Sequence, residues 1–195
     1  FHELDPWRMA NVFASTDQGQ TWTRRGGVLF PQSHFDEHMI VQRRDGSLWM
    51  LARTANNIWE SLSGDHGQTW SDPRPSGIAH ISTRFHLRRL MSGHILLIKH
   101  GARVDERTEV RSHLTAYLSE DDGATWIGGL LLDERATVSY PDSTQAPDGT
   151  IYISYDRNRD TDGEILLARI TEADILAGQC VTPRAQLRML ITRAC

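Results

Sequence analysis

Glu37 and Arg53 lie on either side of Asp45-Gly46 in the stretch EHMIVQRRDGSLWMLAR. A hairpin folded at that dipeptide sets Glu37 against Thr54 and His38 against Arg53, so a carboxylate and a guanidinium converge at the end away from the turn. LRRLMSGHILLI, folded at Ser92-Gly93, sets His86 against Lys99 and leaves Arg84 just above. STQAPDGTIYIS, folded at Asp148-Gly149, sets Tyr140 against Arg157 and Asp142 against Tyr155. Carboxylate, guanidinium, phenol and imidazole are the groups of proton transfer and of anion binding, and each hairpin delivers some of them to its open end. His34, His38, His86 and His100 add imidazoles nearby, without the close spacing of a metal-ligand motif, so neither a metal nor another cofactor is expected.

These side chains need a scaffold, and the chain announces one by repeating itself. STDQGQTW from Ser15 returns as SGDHGQTW from Ser63 and as SEDDGATW from Ser119. Between the cassettes run short alternating strands with tight turns, and the distance from each closing tryptophan to the next turn is nearly constant. A longer connection, GARVDERTEV, occupies one unit. Four short strands in roughly 50 residues describe one blade of a β-propeller, with the glycine turn joining strands one and two and the cassette joining strands three and four. The expected divisions are a half blade over about 1–30, blades over about 35–75 and 82–130, and a last partial blade over about 138–195. In that last unit ITEADILAG replaces the cassette; Thr171 with Asp174 has the form of a capping box, and Gly178 would end a short helix. Three to four blades leave a ring unclosed, so the chain is expected to be the C-terminal part of a larger propeller.

The cassette explains itself as a turn. Its Asp accepts hydrogen bonds from the N–H groups of its own loop, its Gly takes a conformation costly for other residues, and its Trp covers the gap between strands. It contains no nucleophile. Trp7, Trp49 and Trp59 are expected to fill gaps between blades.

Composition excludes several alternatives. The 195 residues are 39% hydrophobic and 24% charged, with a net charge of −4 and interspersed signs. No basic stripe favours nucleic acid or an anionic membrane, and no apolar run is long enough to span a bilayer. Cys180 and Cys195 are too few for a disulfide framework and leave the redox compartment open.

The cassette resembles the Asp-box of the sialidase, or BNR-repeat, superfamily. That resemblance implies a six-bladed propeller when complete, and it gives the rim residues roles. Glu37 and Arg53 match the Glu and Arg that sialidases place on either side of a D-G turn. Arg111, opening RSHLTAYLSEDDGATW, matches an arginine before an Asp-box, and Tyr140 matches the catalytic tyrosine. The implied activity is that of an exo-α-sialidase acting on a sialoside or related carbohydrate. Arginines would hold the sugar carboxylate, and Tyr140, with Glu37 as its base, would attack the anomeric carbon with retention. The acid Asp and a further arginine would come from earlier blades. Pro141-Asp142 departs from the family pattern after the tyrosine, and Asp142 suits a neutral hydroxyl; Arg84 and His38 complete the expected substrate contacts. A non-catalytic carbohydrate-binding propeller, or an enzyme for another acidic or neutral sugar, remains as an alternative.

Overall fold

The structure, a computed structural model, describes residues 8–33 and 37–194; Trp7, His34 and Cys195 lie outside the described residues. The chain divides into two compact units, residues 1–78 and 79–195.

The first unit contains a two-stranded sheet, β1 (Ala10–Ala14) and β2 (Thr23–Val28), and a four-stranded sheet. The latter runs in chain order through β3 (His38–Gln42), β4 (Leu48–Arg53), β5 (Ile58–Ser63) and β6 (Arg74–Pro75). Its core gathers Val28, Phe30, Met50 and Ala52, with Trp59 and Trp70 packed against them. Trp49 is buried and its indole N–H donates to Glu60 at 2.7 Å, which satisfies the one polar atom a buried tryptophan carries.

The second unit contains two four-stranded antiparallel meanders. One comprises β7 (His86–Arg89), β8 (Ile95–His100), β9 (Leu114–Ser119) and β10 (Ile127–Asp133). The other comprises β11 (Val138–Gln145), β12 (Ile151–Arg157), β13 (Glu164–Ile170) and β14 (Gln186–Thr192), with helix α1 (Glu172–Ala177) between the last two strands. β8 and β9 are buried along their whole length, as central strands covered on both faces must be, and so read as nearly continuous apolar runs. In β12 the alternation is clean, with Ile151, Ile153 and Tyr155 turned inward. The residues after Gly178, ambiguous by pattern, form β14 as the outer strand.

The cassettes join β1 to β2, the two strands of the small sheet, and strands three and four of a four-stranded sheet at β5–β6 and β9–β10. In each, the serine and aspartate clasp the loop. In the second, Gly67 N–H donates to Ser63 Oγ at 2.9 Å, and Thr69 donates to Asp65 from its N–H at 2.9 Å and from its hydroxyl at 2.5 Å. The residue before the cassette glycine also takes a left-handed backbone, at φ 60° for Gln18, 59° for His66 and 58° for Asp122. Trp22 stays exposed at 64%, so it does not close a gap as expected, whereas Trp70 packs on the core.

In the last unit, the capping box of Thr171 and Asp174 and the left-handed Gly178 bound α1 as expected. Asp174 does more than cap. Its carboxylate also accepts the N–H groups of Val181 and Thr182, so one buried aspartate ties both ends of the helical insert. Burial alone would raise its pKa, but the bonds from Thr182, Thr171 and Val181 hold it at about 2.

The hairpin register differs from expectation by one residue, and the turn explains why. Gly46 N–H donates to Arg43 O while Arg43 N–H donates to Ser47 O, which makes a three-residue loop ending in a left-handed glycine at φ 87°. The same pattern closes the turns at Gly93 and Gly149. His38 therefore pairs with Ala52 instead of Arg53, and Glu37 lies across from Arg53 instead of Thr54, with Arg53 N–H donating to Glu37 O at 3.0 Å. His86 pairs with Ile98 instead of Lys99.

Candidate functional site

Two groups of side chains occupy strand ends away from the cassettes, one in each unit. In the first unit, Arg53 Nη1 lies 2.8 Å from Glu37 Oε2, with 3% of the arginine side chain and 22% of the glutamate exposed. The arginine at the end of β4 is thus a buried prop, and the carboxylate is the partner that solvent reaches. His38 is occupied otherwise: its Nε2 is 3.1 Å from the carbonyl of Asn11.

In the second unit, β11 carries a bulge. Ser139 pairs with Asp156 and Asp142 with Ser154, so Tyr140 and Pro141 together oppose Tyr155. Proline has no N–H for the ladder, which accounts for the interruption here. The three-residue turn sets Asp142 opposite Ser154, and the bulge then sets Arg157 opposite Val138, correcting the pairings expected for Asp142 and Tyr140. Tyr140 itself takes φ 52°, a left-handed conformation that a bulky residue adopts only at a cost of about 1–3 kcal/mol. The guanidinium of Arg159 covers its ring at 4.3 Å from the centroid, and Arg159 is held in turn by Asp156. Arg159 was not singled out from sequence. Its signal was the charged run DRNRD at a strand end, but only the turn at Asn158, with φ 51°, folds it back over the tyrosine.

Two residues beyond Tyr140, Asp142 meets Arg84 and His86. Its Oδ2 is 3.6 Å from Arg84 Nη2, and its Oδ1 is 3.4 Å from His86 Nδ1 and accepts Ser143 N–H at 2.8 Å. His86 is buried and its Nε2 lies 2.7 Å from Ser143 Oγ. Burial pushes the His86 pKa down to about 4 against the pull of Asp142.

Arg111 is half-buried and makes no hydrogen bond or ion pair among the described residues. Its charge adds to burial in holding His100 at a pKa of about 4; that imidazole is buried, with Nε2 2.8 Å from Val138 O. The connection that ends at Arg111 is anchored from below. Lys99, fully buried, donates to the carbonyls of Arg103 at 2.7 Å, Glu106 at 3.0 Å and Val104 at 3.4 Å, and burial lowers its pKa to about 8.

The structure therefore joins Glu37 to Arg53, and Arg84 to Asp142 and His86. It brings Arg159 to Tyr140, where Arg157 was expected, and Arg157 instead donates to Glu164 at 2.9 Å. No group of three or more metal-ligating side chains occurs among the described residues, and none of their helices is long and apolar enough to cross a membrane.

Residues 2–153 match the BNR repeat-like domain. The chain belongs to that family. No curated protein matches this BNR repeat-like chain. Among solved structures it resembles a protein of unknown function from Dyadobacter fermentans, with a TM-score of 0.58 and 20% identity, over 76% of this chain and 41% of that one. It also resembles Hadza microbial sialidase Hz136, with a TM-score of 0.55 and 19% identity, over 91% of this chain and 41% of that one. An endo-arabinase from Bacteroides thetaiotaomicron matches with a TM-score of 0.51 and 16% identity, over 90% and 72% of the two chains. At such identities the likeness is one of fold: the BNR repeat-like sheets are blades of a sialidase-like β-propeller. The chain spans 41% of the length of the first two of these structures.

Proposed function

We propose that the protein is a sialidase-like glycoside hydrolase, with Tyr140 as nucleophile and Glu37 as its base. The observation that carries this reading is the backbone of Tyr140: a half-exposed tyrosine at φ 52°, in a bulge at a strand end. Strain of that kind collects where a side chain must be aimed, because packing alone has no use for it. A phenol is mostly protonated near neutral pH, so attack on an anomeric carbon needs a carboxylate to take its proton. Glu37, more exposed than the arginine behind it, suits that task, and the buried Arg53 serves by orienting it. Arg111, half-buried at the end of its connection, has donors to offer a sugar carboxylate. Retention would follow from a glycosyl-tyrosine intermediate that water then releases.

The test is turnover by the complete protein, with the earlier blades that would carry the acid, as wild type and as Tyr140→Phe, on a panel of fluorogenic glycosides that includes sialosides and arabinosides. Sialoside release by the wild type and a loss of at least about a hundredfold in the variant are expected. Equal rates for the two proteins would remove the tyrosine from the chemistry. Persistent glycan binding without any product would favour a carbohydrate-binding propeller instead.

A further inference from the structure

We propose that Arg84 and Asp142 form a subsite that reads two neighbouring hydroxyls of a sugar, with His86 beneath them as its floor. This deepens the preceding reading and rests on it only in that this strand end takes a carbohydrate.

The pair has one acceptor and one forked donor, 3.6 Å apart, a spacing that two adjacent hydroxyl oxygens can bridge. A carboxylate accepts from one hydroxyl while a guanidinium donates to its neighbour, and neither group alone distinguishes a diol from a lone hydroxyl. Both side chains reach solvent, with 58% of Asp142 and 34% of Arg84 exposed. The carboxylate is nevertheless fixed from below, because Ser143 N–H donates to Oδ1 and Pro141 restricts the chain before it.

His86 supplies a second and independent sign. Its ring is buried, Nε2 lies 2.7 Å from Ser143 Oγ, and Nδ1 makes no hydrogen bond among the described residues. With Nε2 accepting the Ser143 hydroxyl, the proton of the neutral ring sits on Nδ1, aimed at Asp142 Oδ1 from 3.4 Å. An unmade bond at a buried donor is costly, and a small turn of Asp142 toward a bound hydroxyl would complete it. The subsite also favours uncharged parts of a ligand, since a second carboxylate placed against Asp142 would be repelled.

The experiment measures binding of the protein to arrayed neutral and acidic glycans, intact and after mild periodate oxidation, which cleaves vicinal diols. Wild type, Asp142→Ala, Asp142→Asn and Arg84→Ala are compared. The wild type should lose roughly tenfold or more in affinity on oxidation, and each variant should start roughly tenfold weaker and lose little more. Asp142→Asn keeps the size of the side chain, so its weakening would not stem from a folding defect. Diol-dependent binding without turnover would remove the hydrolase reading and leave this subsite standing. The proposal fails if the wild type binds no arrayed glycan, if oxidation leaves its binding unchanged, or if Asp142→Ala retains the full penalty.

Discussion

Arg53 donates to Glu37 across the open end of a hairpin, at 2.8 Å, with the guanidinium almost wholly buried. The pair is asymmetric. Solvent reaches the carboxylate, while the arginine depends on the protein for its partners.

That asymmetry sets the first prediction. Glu37→Ala, which leaves a buried guanidinium without its carboxylate, should destabilise the protein by about 3–5 kcal/mol. Arg53→Met combined with Glu37→Leu should recover a large part of that loss, because a buried ion pair often contributes little over an apolar pair of similar size. Denaturant unfolding of the singles and the double decides it, and additive losses would count against the pair acting as a unit.

The second prediction concerns acid. His86 and His100 are buried with pKa values near 4, below the ordinary value of 6.5. Between those limits the unfolded chain binds more protons than the folded one, so stability should fall as pH drops from 6.5 to 4. Each histidine can account for about 3 kcal/mol of that fall. Unfolding free energies measured across this range should show a shallower slope in His100→Gln, and an unchanged slope would mean that the ring is not held neutral.

The third prediction separates the clasps from the chemistry. Asp65 is held at a pKa of about 2 by the hydroxyl and N–H of Thr69 and the hydroxyl of Ser63. Its stabilising effect should be present above pH 3.8 and lost as the pH falls toward 2. Asp65→Ala should lower the melting temperature at neutral pH without changing glycan affinity per folded molecule, as read by calorimetry and the same glycan array. A selective loss of binding in a fully folded Asp65→Ala protein would contradict a purely structural cassette.

The order of strands, the cassettes and the capped helix were legible because each depends on side chains a few residues apart. Ser63 with Asp65, and Thr171 with Asp174, satisfy their own loops and need nothing distant. Side-chain pairing at the strand ends was legible only to within a residue. A glycine turn closes with two residues or three, and that one-residue difference moved Arg53 from His38 to Glu37. The same kind of turn at Gly149 and the bulge at Pro141 together shifted Tyr140 away from Arg157.

The sequence by itself determined that this chain is a run of four-stranded blades, which end carries the cassettes, and which ionisable residues lie at the other. Periodicity and turn chemistry are local, so they survive in a bare string of letters. Only the tertiary structure decided that Arg53 is buried behind Glu37, that Arg159 covers Tyr140, and that Arg84, Asp142 and His86 meet between β7 and β11. Those relations join residues from separate strands and loops, and their geometry depends on bulges, burial and packing that no spacing along the chain encodes.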